Sequence, residues 1–239
     1  MTKRSRIAAM AAAAFFLAAL LFTVLALTVD VRPIGPTVPD EPHRGYSVGF
    51  AAMNGGFRDA VKTSAFCYTS FFILALLALV MGLAPIGLFG WQMIQKKDLK
   101  KVNYSNFIQA AFYAGVAVFM LLFVLIPIER RPVVEMSGKV LSSFPSPVLM
   151  AVLTVFVTFP TFLRTLLGRW SGQRYAKLGC YALAVLAFFM SMFSGVHWLS
   201  DAFAAVLFAG LLVSLFYFVF FQLRAKRRAE RKRAQREAY

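Results

Sequence analysis

Ala202–Leu223 reads AFAAVLFAGLLVSLFYFVFFQL, and residues 224–239 follow as RAKRRAERKRAQREAY. The first of these stretches is 22 residues long and carries no charge. A helix needs about 20 apolar residues to cross the ~30 Å hydrocarbon core of a bilayer. The second stretch holds eight basic residues against two acidic ones, the pattern of a cytoplasmic flank. Read outward from this pair, the chain repeats the pattern. Ile7–Val29 has no charge, residues 65–91 are apolar around Pro85, and Phe107–Ile128, Pro147–Leu167 (with Pro160 inside) and Leu178–Phe193 follow. The expected fold is all-α: a six-transmembrane-helix bundle. Prolines are tolerated in such spans where neighbouring helices satisfy the freed carbonyls.

Composition agrees. Hydrophobic residues make up 60% and charged residues 15% of the 239 positions, against about 45–50% and 25% in soluble domains. A water-soluble globule and a disordered chain are both excluded. Two cysteines rule out a disulfide scaffold or a multi-cysteine zinc site, and two histidines leave little for a metal centre. No cofactor and no metal is expected. The net charge of +16 is distributed unevenly. The N-terminus, residues 96–104, the connection after the fourth span and the tail together hold 19 of the 26 basic and three of the ten acidic residues. The intervening segments hold seven of each. The positive-inside rule therefore places both termini in the cytoplasm, in the cell membrane. The basic tail is read as a juxtamembrane cluster that meets anionic lipids, not nucleic acid. The first span, 23 residues long, exceeds the 7–15-residue core of a signal peptide and is expected to be retained.

The chain thus divides into an extracytoplasmic segment at 30–64, a helical core at 65–223 and the basic tail at 224–239, within one membrane domain. Pro33, Pro36, Pro39 and Pro42 exclude regular helix from the start of the first segment. Residues 47–63 alternate Val48, Phe50, Phe57 and Val61 with Asn54, Arg58, Asp59 and Lys62, which predicts an interfacial helix interrupted at Gly55-Gly56. His43 reads as a solvated loop residue. Cys67 and Cys180 fall near opposite membrane faces and are not expected to pair.

Three segments share the outer face: Glu129-Arg130-Arg131-Pro132, Phe144-Pro145-Ser146-Pro147 and Ser194-Gly195-Val196-His197-Trp198-Leu199-Ser200-Asp201. His197 and Asp201 are spaced i, i+4, on one face if helical. A carboxylate there can fix the imidazole tautomer and leave the second ring nitrogen as a nucleophile. Arginine matches phosphate oxygens bidentately, and the N-terminus of the fourth span offers backbone N–H groups. The spacing fits equally an interfacial histidine and a helix-capping aspartate without chemistry.

Taken together these residues resemble the type 2 phosphatidic acid phosphatases, which carry K-x6-R-P, P-S-G-H and S-R-x5-H-x3-D on six spans. Arg131-Pro132, Pro145-Ser146 and His197 with Asp201 stand in that order and spacing, and Gly195 belongs to the third pattern; the resemblance covers about residues 60–223. It implies that His197 is the nucleophile, forming a phosphohistidine, that Asp201 orients it, and that Arg131, Ser146 and Gly195 bind phosphate. It also marks three substitutions. Val124 stands at the lysine of the first pattern, Val148 at the leaving-group histidine and Ser191 at an arginine. A missing general acid typically costs about 10²–10⁴-fold, and a missing electrostatic donor about 10²–10³. Arg130 and Lys139 are the candidates to replace lost cations. The functional expectation is a membrane phosphatase-like protein acting on a lipid phosphate or an isoprenyl diphosphate, catalytically weakened. The alternative is a non-catalytic head-group-binding or structural membrane protein. A transporter is disfavoured by the uncharged centres of all six spans.

Overall fold

Polar and apolar residues sort the chain into long helices because, inside a bilayer, a helix alone satisfies every backbone group within one segment. The computed structural model describes residues 1–38, 41–97, 103–126, 128–133, 141–168 and 170–237. The helices are α1 (Lys3–Thr28), α2 (Ala51–Val61), α3 (Ala65–Lys96), α4 (Tyr104–Leu125), α5 (Pro147–Leu167), α6 (Gln173–Phe193) and α7 (Leu199–Glu237), with a short antiparallel pair β1 (Thr37–Val38) and β2 (Glu41–Gly45) before α2. Six of these helices are long and apolar enough to span a membrane. The bundle and its six spans are as the sequence predicts.

Starts are set by local capping. Thr2 Oγ1 accepts the Ser5 N–H at 3.2 Å, Ser64 Oγ that of Cys67 at 3.3 Å, and Asn103 Oδ1 that of Ser105 at 3.1 Å. Pro147 opens α5 at the position where its missing N–H costs nothing. Pro85 and Pro160 sit inside continuous helices.

α5 is the central element: half of its most apolar window is buried, against 17% for α1. It packs on α3, α4, α6 and α7 around Phe71, Leu74, Tyr113, Leu149, Met150 and Phe156. Mid-bundle, Tyr113 Oη lies 3.0 Å from Thr158 Oγ1, and Gln109 Nε2 donates to the Thr158 carbonyl at 3.2 Å. Such interhelical hydrogen bonds hold α4 to α5 where lipid supplies no hydrophobic drive. α1 docks on α7 along Ser5, Ala8, Ala12, Ala19 and Ala26, a stripe of small residues that allows close approach.

Most span ends shift by a few residues from the sequence reading, and three differences are larger or change an element. α2 runs unbroken through Gly55-Gly56; two glycines weaken a helix by about 1 kcal/mol each, which its docking on α7 offsets. α6 begins at Gln173 rather than Leu178. α7 does not end at Leu223 but continues through the tail to Glu237, because Ala, Arg, Lys, Glu and Gln are strong helix formers. The Arg227 guanidinium also stands 3.6 Å over the Tyr104 ring, tying the extension to α4. The backbone of residue 43 lies in β2; its side chain lies outside the described residues.

Candidate functional site

The basic helix ends gather at one end of the bundle. The other end carries the three segments singled out above. Backbone pairing joins them: the Arg131 N–H donates to the Leu141 carbonyl at 3.0 Å, Ser143 to Glu129 at 2.9 Å and Ser146 to Asp201 at 3.3 Å. Trp198 Nε1 donates to the Arg130 carbonyl at 2.7 Å. The convergence is therefore built mostly by main-chain groups.

At the centre, His197 Nε2 lies 3.4 Å from Ser146 Oγ, and Phe71 meets the imidazole edge-on. His197 is 6% exposed, and its neighbour Trp198 and Phe144 of the second segment are fully buried. Burial, and then the positive charge of Arg131, push the His197 pKa down to about 3. The ring is neutral at physiological pH, the form with a free lone pair. Nδ1 is buried and has no hydrogen-bond partner among the described residues.

Asp201 departs from expectation. Instead of the imidazole, its Oδ2 accepts the Trp198 N–H at 3.0 Å and the Ser143 hydroxyl. An acid three residues into a helix that accepts the N-cap N–H is half of a capping box. Geometry explains the difference: Trp198 precedes the first turn of α7, so His197 lies outside the helix and the i, i+4 relation does not hold. A second cap comes from α2, where Asn54 Oδ1 accepts the Ser200 N–H at 3.1 Å and Asn54 Nδ2 donates to Ser200 Oγ at 2.9 Å.

The acid beside Asp201 is Glu129, which is 4% exposed. Glu129 Oε1 accepts the Gly49 N–H at 2.8 Å. Its Oε2 and Asp201 Oδ1 have no hydrogen-bond partner among the described residues, and the two carboxyl groups lie close enough to influence one another's ionisation. Two buried carboxyls this close disfavour both being ionised at once. Burial raises the Glu129 pKa to about 7, against the opposing bonds from Gly49 and Asp201.

Arg131 acts electrostatically on both His197 and Asp201. Arg130 stacks its guanidinium over Tyr46 at 4.7 Å. Gly195 has φ +72, and a Cβ there would meet the Lys62 carbonyl oxygen at 2.6 Å; only glycine lets this loop approach the α2–α3 junction. Ser191 Oγ is buried with no hydrogen-bond partner among the described residues. Val148 packs against the core, whereas Val124 is 48% exposed on the lipid-facing side of α4. Lys139 lies outside the described residues. Sequence reading missed Glu129, Ser143, Asn54 and Arg58, whose guanidinium stands 5.5 Å over Trp198. Glu129 alone left a trace, an acid directly beside two arginines at a span end.

Six spans in this order, with these three segments gathered at one end, have the PAP2-type helical fold. A solved structure similar to this chain is the transmembrane PAP2-type phosphatidylglycerolphosphate phosphatase from Bacillus subtilis, with TM-score 0.58, 12% identity, and coverage of 90% of this chain and 96% of that one. At that identity the likeness shows the fold. No protein-family model matches the sequence, and no curated protein matches it.

Proposed function

We propose that this integral membrane protein is a lipid phosphate or diphosphate phosphatase in which His197 is the nucleophile. The observation that carries this reading is the juxtaposition of a buried neutral imidazole with Ser146 and the charge of Arg131. In the proposed reaction a lone pair of the His197 ring attacks phosphorus, the bond to the leaving oxygen breaks with its electrons, and a phosphohistidine forms. Water then attacks that phosphorus, releasing inorganic phosphate and regenerating the imidazole. Arg131 and Ser146 meet the developing charge on the phosphoryl oxygens, and Arg58 adds a cation beside the site. Val148 offers no proton to the leaving group, so a diphosphate, whose leaving phosphate needs none, is the preferred substrate. The uneven spread of basic residues supports a topology with both termini in the cytoplasm and the site at the outer face, and a basic end that meets anionic lipids.

A second reading, head-group binding without turnover, is favoured by Asp201, which is committed to capping α7 and to Glu129 rather than to His197. Phosphate release by the purified protein in detergent separates the two, assayed on phosphatidate, phosphatidylglycerophosphate and an isoprenyl diphosphate. Turnover that is fastest on the diphosphate and lost in His197→Ala supports the enzyme. Silence on all three from a folded protein leaves the binding reading.

A further inference from the structure

At the end of the bundle away from His197, residues of α1, α5, α6 and α7 and the start of α4 line a half-open cavity of about 980 Å³. That is the upper size of a small-molecule site, ~300–1,000 Å³. Its charged lining is Arg4 from α1, Arg164 from α5, Lys177 from α6, and Arg224 and Arg228 from α7, with no carboxylate among the lining residues. These cations do not merely share a surface. Arg224 lies within electrostatic reach of both Arg164 and Arg228, and Lys177 within reach of Tyr217. Arg32 pairs with Asp30 at the opposite end of the chain's spans, and none of the five cations lining this cavity is opposed by a carboxylate in its lining. Like charges gathered from separate helices repel one another, and the repulsion is strongest where the surroundings are least polar. A second, adjoining cavity shares Arg4, Arg224 and Arg228 and adds Lys3.

The rest of the lining is amphipathic. Thr161, Thr165, Tyr181 and Tyr217 bring hydroxyls, and Thr161 Oγ1 is 3.4 Å from Tyr217 Oη. Ile7 and Ala8 of α1 and Phe220 of α7 bring apolar surface. Fork-shaped guanidinium donors, hydroxyls and an adjacent apolar wall are what a phosphate on an acyl or prenyl chain requires.

We infer that this cavity is a second, discrete binding site for a phosphate-bearing anion, and that its occupant is an anionic lipid head group held between α1, α5, α6 and α7. It differs from a polybasic run along one helix, because the cations come from four helices and line one shared, half-open cavity. It does not rest on any catalysis at His197. About 23 residues of α7 separate Asp201 from Arg224, roughly 35 Å of helix, so one head group cannot serve both sites.

The test measures lipid retention by native mass spectrometry and affinity for a fluorescent phosphatidate, with full-length protein in phosphatidylcholine nanodiscs doped with that lipid. Arg164→Gln with Arg224→Gln is compared with Lys226→Gln with Arg236→Gln, which removes the same charge outside both cavities. The expected result is one retained anionic lipid in wild type, an affinity loss of about tenfold or more in the cavity pair, since charge-assisted bonds are lost, and little loss in the outer pair. Equal losses in both pairs, or no retained lipid, overturn the discrete site. Pyrophosphate is titrated in parallel. Displacement at micromolar concentration assigns the site to soluble anions and overturns the lipid occupant. Arg164→Lys with Arg224→Lys, which keeps the charge, is expected to recover part of the affinity; if it binds no better than the glutamine pair, the loss does not follow the charge and the anion site is overturned.

Discussion

The two ends of the bundle handle charge in opposite ways. At the His197 end, polar groups are largely taken up by one another: Asp201 caps α7 and faces Glu129, Asn54 caps the same helix, and Trp198 and Phe144 are fully buried. At the basic end, five cations line an open cavity with no acid. One end is a closely packed polar core and the other is an electrostatic demand with no carboxylate among the residues that line it. Chemistry by a buried nucleophile needs the first kind of environment, in which a ring stays neutral. Recognition of an anion needs the second. A likeness of fold draws attention only to the first end.

The comparison breaks most sharply if the His197 end does no chemistry. His197→Ala is expected to abolish phosphate release, by about 10³-fold or more, while Arg164→Gln with Arg224→Gln leaves it unchanged. Asp201→Asn separates two roles of the acid. An acid that holds the tautomer costs about 10⁴-fold when converted to its amide. The observed contacts predict instead less than about tenfold, because the amide can still accept the Trp198 N–H and pair with Glu129.

A smaller effect sharpens the account of the substitutions. Val148→His, Ser191→Arg and Pro147→Gly together are expected to raise phosphomonoester hydrolysis about 10²-fold, the scale of one general acid. Silence of both the wild type and the folded triple variant on all lipids would leave head-group binding as the role of this end.

Gly195→Ala tests how the end is assembled. The left-handed backbone and the contact with the Lys62 carbonyl predict about 2–4 kcal/mol of destabilisation, read as a Tm lower by roughly 5–10 °C. An unchanged Tm means that the loop does not depend on this approach.

The least obvious effect is in pH. Glu129, raised to about 7, contributes stability that is present at low pH and lost as pH rises from about 4.5 to 7. His197, lowered to about 3, contributes stability that is present above about 6.5 and lost as pH falls toward 3. Each limb has a slope of about 1 kcal/mol per pH unit. Between roughly pH 4.5 and 6.5 they oppose, and Asp201, also held up by burial and by Glu129, adds to the acid limb, so the wild-type Tm should fall there as pH rises, less steeply than without the His197 limb. Glu129→Gln with Asp201→Asn should expose the His197 limb, with Tm falling on acidification. His197→Gln should expose the Glu129 limb, with Tm falling as pH rises. Identical profiles in all three proteins would refute the assignment.

Much of this molecule was decided by one-dimensional patterns. Runs of about 20 uncharged residues become spans because the bilayer leaves the backbone no other partner, and the uneven spread of 26 basic residues orders the ends. Arg131, Ser146 and His197 were legible as neighbours because topology returns alternate loops to one face. The tertiary structure alone decided what the side chains do there. Asp201 reads as an orienting acid by spacing, yet a helix that starts after His197 turns it to the backbone N–H of Trp198. Glu129 faces it from 72 residues away, and Asn54 caps the adjoining Ser200 from 146 residues away, distances at which no local period speaks. The basic cavity likewise needs helix ends from residues 4, 164, 177, 224 and 228 to close on one volume. Local sequence sets which segments bury and cap themselves; contacts between distant segments depend on the packing of whole helices, and there the roles of individual polar groups are chosen.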